Sequence, residues 1–178
     1  MKRLIMCEGP NELAIIRILL ENNAFVFDEN DLLGLNPYFA RQIAGSAVVK
    51  NELQMYPNND VVVMRIGDKL SDKLKIPKEF AKKIVSEEKY CTLPELEVLL
   101  IISEKLWPQY IKVKSKISAK EFAETHIRLN KRKYNNQTDF YYDYFRRTPD
   151  KLVDAIREYR RVHKTHKKDQ LYLADLLR

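Results

Sequence analysis

RLIMCEGPNELAIIRILL, residues 3–20, runs from an almost unbroken apolar segment through a sharp break into a second apolar segment of different period. RLIMCE lacks the in–out alternation of a half-exposed strand, as expected of a strand covered on both faces in a parallel sheet. Gly9-Pro10-Asn11 stops it, and Pro10 suits the first turn of a helix, where its missing N–H would have no partner. Beyond it Leu13, Ile16 and Leu20, with Ile15 and Leu19, fall at helical spacing until Asn22 and Asn23. The unit is strand, break, helix. It leaves Glu8 at the mouth of a buried strand and Glu12 one helical turn later, a costly placement unless a cation, a helix end or water compensates it.

Outward from this unit, AFVF (24–27) reads as a short second strand. Residues 28–60 suggest two short helices, with turns at Asn36-Pro37 and Pro57-Asn58-Asn59. VVVMRIGD (61–68) is the clearest strand, β-branched and ended by Gly67-Asp68. IPKEFAKKIV (76–85) reads as helix, KYCTL (89–93) as strand, and PELEVLLIISEKLWPQYIK (94–112) as one long helix opened by Pro94. From SAKEFAETHIRL (118–129) the pattern is helical to the end, with breaks at KRKYNNQT (131–138) and Thr148-Pro149. The expected fold is α/β, a mostly parallel sheet flanked by helices over residues 1–105, with an all-helical basic extension over 106–178 packed on it.

A chain of 178 residues suits one domain with a sizeable core. No apolar run approaches the roughly 20 residues that cross a bilayer, so no membrane partner is expected. MKRLIMCEGP is basic and then apolar like a signal peptide, but the run is short and acid follows at once. Cys7 and Cys91 have no His or Cys at ligand spacing, which argues against zinc and for reduced thiols in the cytoplasm. Charge divides the chain. Residues 101–178 hold 19 Lys and Arg against 10 Asp and Glu, whereas the first hundred hold 13 against 15. A basic half beside a slightly acidic half points to a polyanionic partner, with nucleic acid foremost, and to separate work for carboxylates.

In open parallel sheets, ligands bind beyond the carboxyl ends of the strands. Glu8 and Asp68 lie at two such ends, and Glu95 and Glu97 follow a third. Were these strands neighbours, the four acidic groups would repel one another unless a cation sat among them. Oxygen ligands of this kind suit Mg²⁺ or Mn²⁺. Glu12 and Glu95 equally suit the positive end of a helix dipole, Glu97 a solvated helix face and Asp68 a turn cap.

CEGPNE, VVVMRIGD and PELEVLL, in that order, resemble the TOPRIM fold of overcoming-lysogenization-defect nucleases and related phage-defence proteins of the Rlo and abortive-infection type. The resemblance spans roughly residues 1–105. It implies a metal-dependent nuclease in which Glu8 is the strand-end glutamate and Glu12 its helical companion. Ile66-Gly67-Asp68 stands for an Asp-x-Asp motif, and Glu95 or Glu97 for the late glutamate. By this resemblance Glu8, Glu12 and Asp68 are the catalytic residues. Ile66 replaces the first aspartate of that motif, so Asp72 is considered as a substitute ligand beside Glu8, Asp68, Glu95 and Glu97. A separate ATPase or sensor protein is the implied partner, because this chain has no Gly-rich phosphate loop.

The basic half carries KRKYNNQTDFYYDYFRR, with Lys131, Arg132, Lys133, Arg146 and Arg147 around six aromatic residues. A later helix adds Arg160, Arg161, Lys164, Lys167 and Lys168. These cations are the expected contacts to nucleic acid, because Lys and Arg neutralise phosphates and aromatic faces stack on unpaired bases. Phe140, Tyr141 and Tyr144 fall at helical spacing and also suit a core. His163 and His166 read as surface residues. The expected function is therefore cleavage of RNA, such as tRNA, or of DNA. The alternative is a non-catalytic binding or regulatory module with a degenerate metal site.

Overall fold

The computed structural model describes residues 1–68, 72–92, 96–163 and 169–178. Its centre is the strand read first. β1 (Lys2–Cys7) lies between β2 (Tyr38–Phe39) and β3 (Val61–Gly67), and β4 (Ile84–Cys91) flanks β3. All three pairings are parallel, with Lys2 opposite Val61 and Cys7 opposite Ile66. All seven residues of β3 are buried, which explains why its sequence is apolar but for Arg65.

Alternation along the strands divides the core into two layers. Ile5, Cys7, Val62, Met64 and Ile66 face a helical layer built on α1 (Pro10–Glu21) and α3 (Glu97–Ser103). Leu4, Met6, Val61 and Val63 face α2 (Ala47–Met55) and short 3-10 turns at Leu33–Leu35 and Ile43–Gly45. Arg65 is 3% exposed and bonds Asp72 at 2.8 Å and Glu87 at 3.0 Å, so a charged residue is tolerated inside the central strand.

Several elements depart from expectation. AFVF holds only an isolated bridge, Phe25 to Leu177, and the short second strand is Tyr38–Phe39 instead. IPKEFAKKIV gives a single 3-10 turn, Lys78–Phe80, before β4 begins at Ile84; pairing with β3 overrides a weak helical pattern. The expected long helix is two. α3 closes at Ser103, Lys105 takes a left-handed φ of 59°, and α4 (Trp107–Val113) restarts on Pro108. A proline in the helix interior would remove a backbone donor and clash with the preceding turn, whereas at the second position of a new helix it does neither.

The C-terminal half is not all helical. Between α5 (Ala119–His126) and α6 (Thr138–Phe145), a hairpin pairs β5 (Arg128–Leu129) with β6 (Arg132–Lys133). Its two turn residues, Asn130 and Lys131, both have positive φ, the hairpin turn whose twist matches the strands. Together with α7 (Pro149–Val162), this half supplies Phe122, Tyr134, Phe140, Phe145, Leu152 and Ile156 to the same core that holds Ile15, Leu19 and Ile66. The last residues return to the sheet: Leu171 donates to the carbonyl of Lys89 and accepts from the amide of Cys91. Among the described residues no helix is long and apolar enough to cross a membrane.

Candidate functional site

β1 and β3 are adjacent and parallel, so Glu8, in register with Gly67, and Asp68, one residue beyond, both lie at the carboxyl edge of the sheet. The amide of Glu8 still donates to the carbonyl of Ile66, at 2.8 Å, and the amide of Thr92 donates to that of Gly67 at 3.0 Å. The ends of β1, β3 and β4 thus lie in one row. Glu8 is 8% exposed. Its side chain covers Gly67 so closely that a Cβ there would lie 2.5 Å from Glu8 Cβ. At Gly9 a Cβ would lie 2.5 Å from Glu12 Oε2, because Glu12 in the first turn of α1 folds back over the break. Gly67 is needed for space because it meets Glu8 Cβ, whereas at Gly9 the neighbour is the end of a flexible side chain that can swing aside.

The four carboxylates read from sequence as one group are partly assembled. Burial pushes the Glu12 carboxyl up to about 7, and the negative charges of Asp68, Glu8 and Glu97 push in the same direction. Glu97, at the first turn of α3 and 6% exposed, accepts a 2.6 Å hydrogen bond from the Tyr134 hydroxyl. Glu95 lies outside the described residues. Asp72 takes a different position: its carboxylate, 51% exposed, is held by Arg65 and by Gln42 at 2.8 Å. Those bonds hold it below the usual carboxylate range and tie it to the α2 face of the sheet. Ile66 is fully buried beside Cys7 and offers no side-chain oxygen to this edge.

Two features had no signal in the sequence. Arg41, just beyond β2, points Nε at Glu8 Oε1 at 3.5 Å and at the Glu8 carbonyl at 3.4 Å, so a cation from the chain already faces the strand-end glutamate. The hairpin and α6 close the edge from the other side. Tyr134 also bonds Tyr141 at 2.9 Å and Asn136 at 3.0 Å, while Asn11 at the start of α1 bonds Asn136 at 3.1 Å and Thr138 at 2.8 Å. Burial and the nearby charge of Glu97 drive both phenols well above their ordinary range, so they remain protonated donors.

The donor set, all carboxylate oxygen with excess negative charge, fits a hard divalent cation in chemistry. At the end of β4, the buried hydroxyl oxygen of Thr92 has no hydrogen-bond partner among the described residues. As the side chains stand, no three acidic, His or Cys groups among the described residues are placed to hold one ion. Both cysteines are buried and neither forms a disulfide among the described residues, and burial raises the Cys7 thiol.

The basic residues of the C-terminal half divide into two places. Arg132, Arg146 and Arg147 line an open cleft of about 780 Å³ together with Arg128 and Lys151, which the sequence pattern had not singled out. Lys131 and Lys133 are exposed on the hairpin beside it. Arg160 and Arg161 stand near the far end of α7 and are already paired, with Asp175 at 2.5 Å and Glu158 at 2.6 Å. Lys164, Lys167, Lys168 and His166 lie outside the described residues. Phe140, Tyr141, Tyr144 and Phe145 are buried, as their helical spacing predicts, and Tyr134 with them. No protein-family model matches this chain, and neither a curated protein nor a solved structure matches it.

Proposed function

We propose that this protein is a metal-dependent phosphodiesterase acting on nucleic acid, with its site at the carboxyl edge of the sheet. The observation that carries the reading is the emergence of Glu8 and Asp68 from adjoining parallel strands, with Glu12 folded over the same edge. The resemblance of CEGPNE, VVVMRIGD and PELEVLL to the TOPRIM nucleases of phage defence supports it. So does the cationic character of the half of the chain that closes the site.

Glu8 and Asp68 would hold Mg²⁺ or Mn²⁺, which when bound supplies Lewis-acid stabilisation of the charge that builds on the phosphate. Glu12, titrating near neutrality, is suited to take a proton from the attacking water. Tyr134 fixes Glu97 at the back of the site. Arg41 is placed to exchange its contact with Glu8 for a substrate phosphate. The substrate is RNA, such as tRNA, or DNA, and a separate ATPase or sensor is the expected partner.

A second reading, a binding module that retains the fold, is favoured by two particulars: Arg41 already sits on Glu8, and Ile66 stands where the resembling family has aspartate. Purified protein incubated with tRNA and with single- and double-stranded DNA, in Mg²⁺ or Mn²⁺, separates the two. Cleavage that disappears on chelation and in Glu8→Gln and Asp68→Asn is the expected result. Absence of cleavage and of any Mn²⁺ binding selects the module, and cleavage that survives chelation removes the metal mechanism.

A further inference from the structure

We infer that the cleft between the β5–β6 hairpin, the end of α6 and the start of α7 is a docking groove for the phosphate backbone of double-stranded nucleic acid. The inference deepens the proposed function by locating where substrate backbone lies, yet binding there requires no chemistry at the acidic edge. Five exposed cations line the groove: Arg128, Arg132, Arg146, Arg147 and Lys151. They face two carboxylates, both already occupied. Glu104 accepts from the Tyr144 hydroxyl, and Asp143 pairs with Arg132 at 3.2 Å. Arg146, Arg147 and Lys151 make no ion pair among the described residues. A protein gains little by gathering like charges in a concavity, and such a surface concentrates polyanions.

The aromatic residues decide which polyanion. Stacking on unpaired bases needs exposed ring faces. Tyr134, Phe140, Tyr141, Tyr144 and Phe145 are all buried in the core, and Tyr142 is half-buried with Arg146 lying 5.1 Å from its ring centre. The groove therefore offers charge without base-stacking platforms, which suits a backbone whose bases are already paired. A phosphopeptide or a lipid headgroup would occupy one or two of these cations and leave the others facing one another.

The groove is also in register with the acidic edge. α6 begins at Thr138, which bonds Asn11 beside Glu12, and its last residues reach the groove. Eight helical residues span about 12 Å, so backbone held at Arg146 and Arg147 lies a few nucleotides from Glu8 and Asp68.

The test is fluorescence anisotropy with a labelled duplex and its single strand, in EDTA, over a range of salt. Three protein cations on phosphates predict a slope of log affinity against log salt of about −2.7 for the duplex. Arg146→Glu with Arg147→Glu should weaken binding at least about tenfold and flatten the slope by about 2. Lys78→Glu with Lys82→Glu, the same charge change beside the α2 face, should alter binding by less than about threefold at 0.1 M salt, where screening is strong. Circular dichroism confirms that each variant is folded. Equal losses in the two variants, no loss in either, or tighter binding to single strands or to anionic lipid vesicles overturns the assignment. Metal-dependent cleavage undiminished in Arg146→Glu/Arg147→Glu would remove the groove and leave the phosphodiesterase. Duplex binding without cleavage would do the reverse.

Discussion

Gly67 lies directly beneath the side chain of Glu8, and the space a methyl group would need at Gly67 is already filled by Glu8 Cβ and its carboxylate. The last residue of β3 is thus sized by the residue that follows β1. Gly67→Ala should lower stability by about 1–3 kcal/mol in denaturant unfolding, the usual range for overfilling a packed site. It should also displace Glu8 and reduce divalent-ion-dependent cleavage more than stability alone explains. A loss below about 0.5 kcal/mol would mean that the carboxylate is free to move aside.

Tyr134 is the hydroxyl donor to Glu97 inside the core. In Tyr134→Phe, a carboxylate only 6% exposed loses that donor while the ring remains to fill the volume. The expected cost is about 1–3 kcal/mol, read as a shift in the denaturant midpoint with unchanged slope. Glu97→Gln in the same background should recover part of it, because a neutral amide tolerates burial better.

The acidic edge makes metal-free stability fall as pH rises. Glu12 has a folded pKa of about 7 against an ordinary value of 4.5. Between those values the folded state binds more protons than the unfolded state. Stability is therefore highest below about pH 4.5 with respect to this group, and declines through pH 7 by at most about 3 kcal/mol. Thermal unfolding in EDTA should show this slope, and Glu12→Gln should flatten it. Mn²⁺ should raise the melting temperature more at pH 8 than at pH 5, because the added cation favours the ionised carboxylate. Equal shifts at both pH values would count against cation binding at this edge.

Arg65 and Asp72 form a clamp within the sheet and the loop after β3. Arg65→Ala should cost about 3 kcal/mol, since it leaves Glu87 and Asp72 without their buried partner. Asp72→Asn should cost about 1 kcal/mol or less and leave metal-dependent cleavage intact. A cleavage defect in Asp72→Asn as deep as that of Asp68→Asn would return Asp72 to the metal site.

The parallel sheet was legible because most of β1 and all of β3 are buried on both faces, and such burial writes itself as a nearly continuous apolar sequence. Their adjacency, and with it the placing of Glu8 and Asp68 at one edge, followed from fold class rather than from any local signal. Arg41 was invisible because its approach to Glu8 depends on a two-residue strand in a segment with no clear period. β4 was misplaced for a related reason: IVSEEKYC gains its strand conformation from β3, not from its own side chains. The basic half showed its charge but not its partition, since ion pairs such as Arg160 with Asp175 join residues 15 apart in sequence, and such pairings leave no periodic trace.

Leu171, hydrogen-bonded on both sides of Tyr90, has a consequence for how the molecule avoids its own copies. β4 is the terminal strand of the sheet, and a terminal strand left bare is a template for another chain. By pairing Leu171 with that border at Tyr90, the protein uses its own backbone on Lys89 and Cys91 where a neighbour's would otherwise add. A chain cut before residue 170 would keep every carboxylate of the acidic edge and still be expected to fail, by joining sheet to sheet with its fellows.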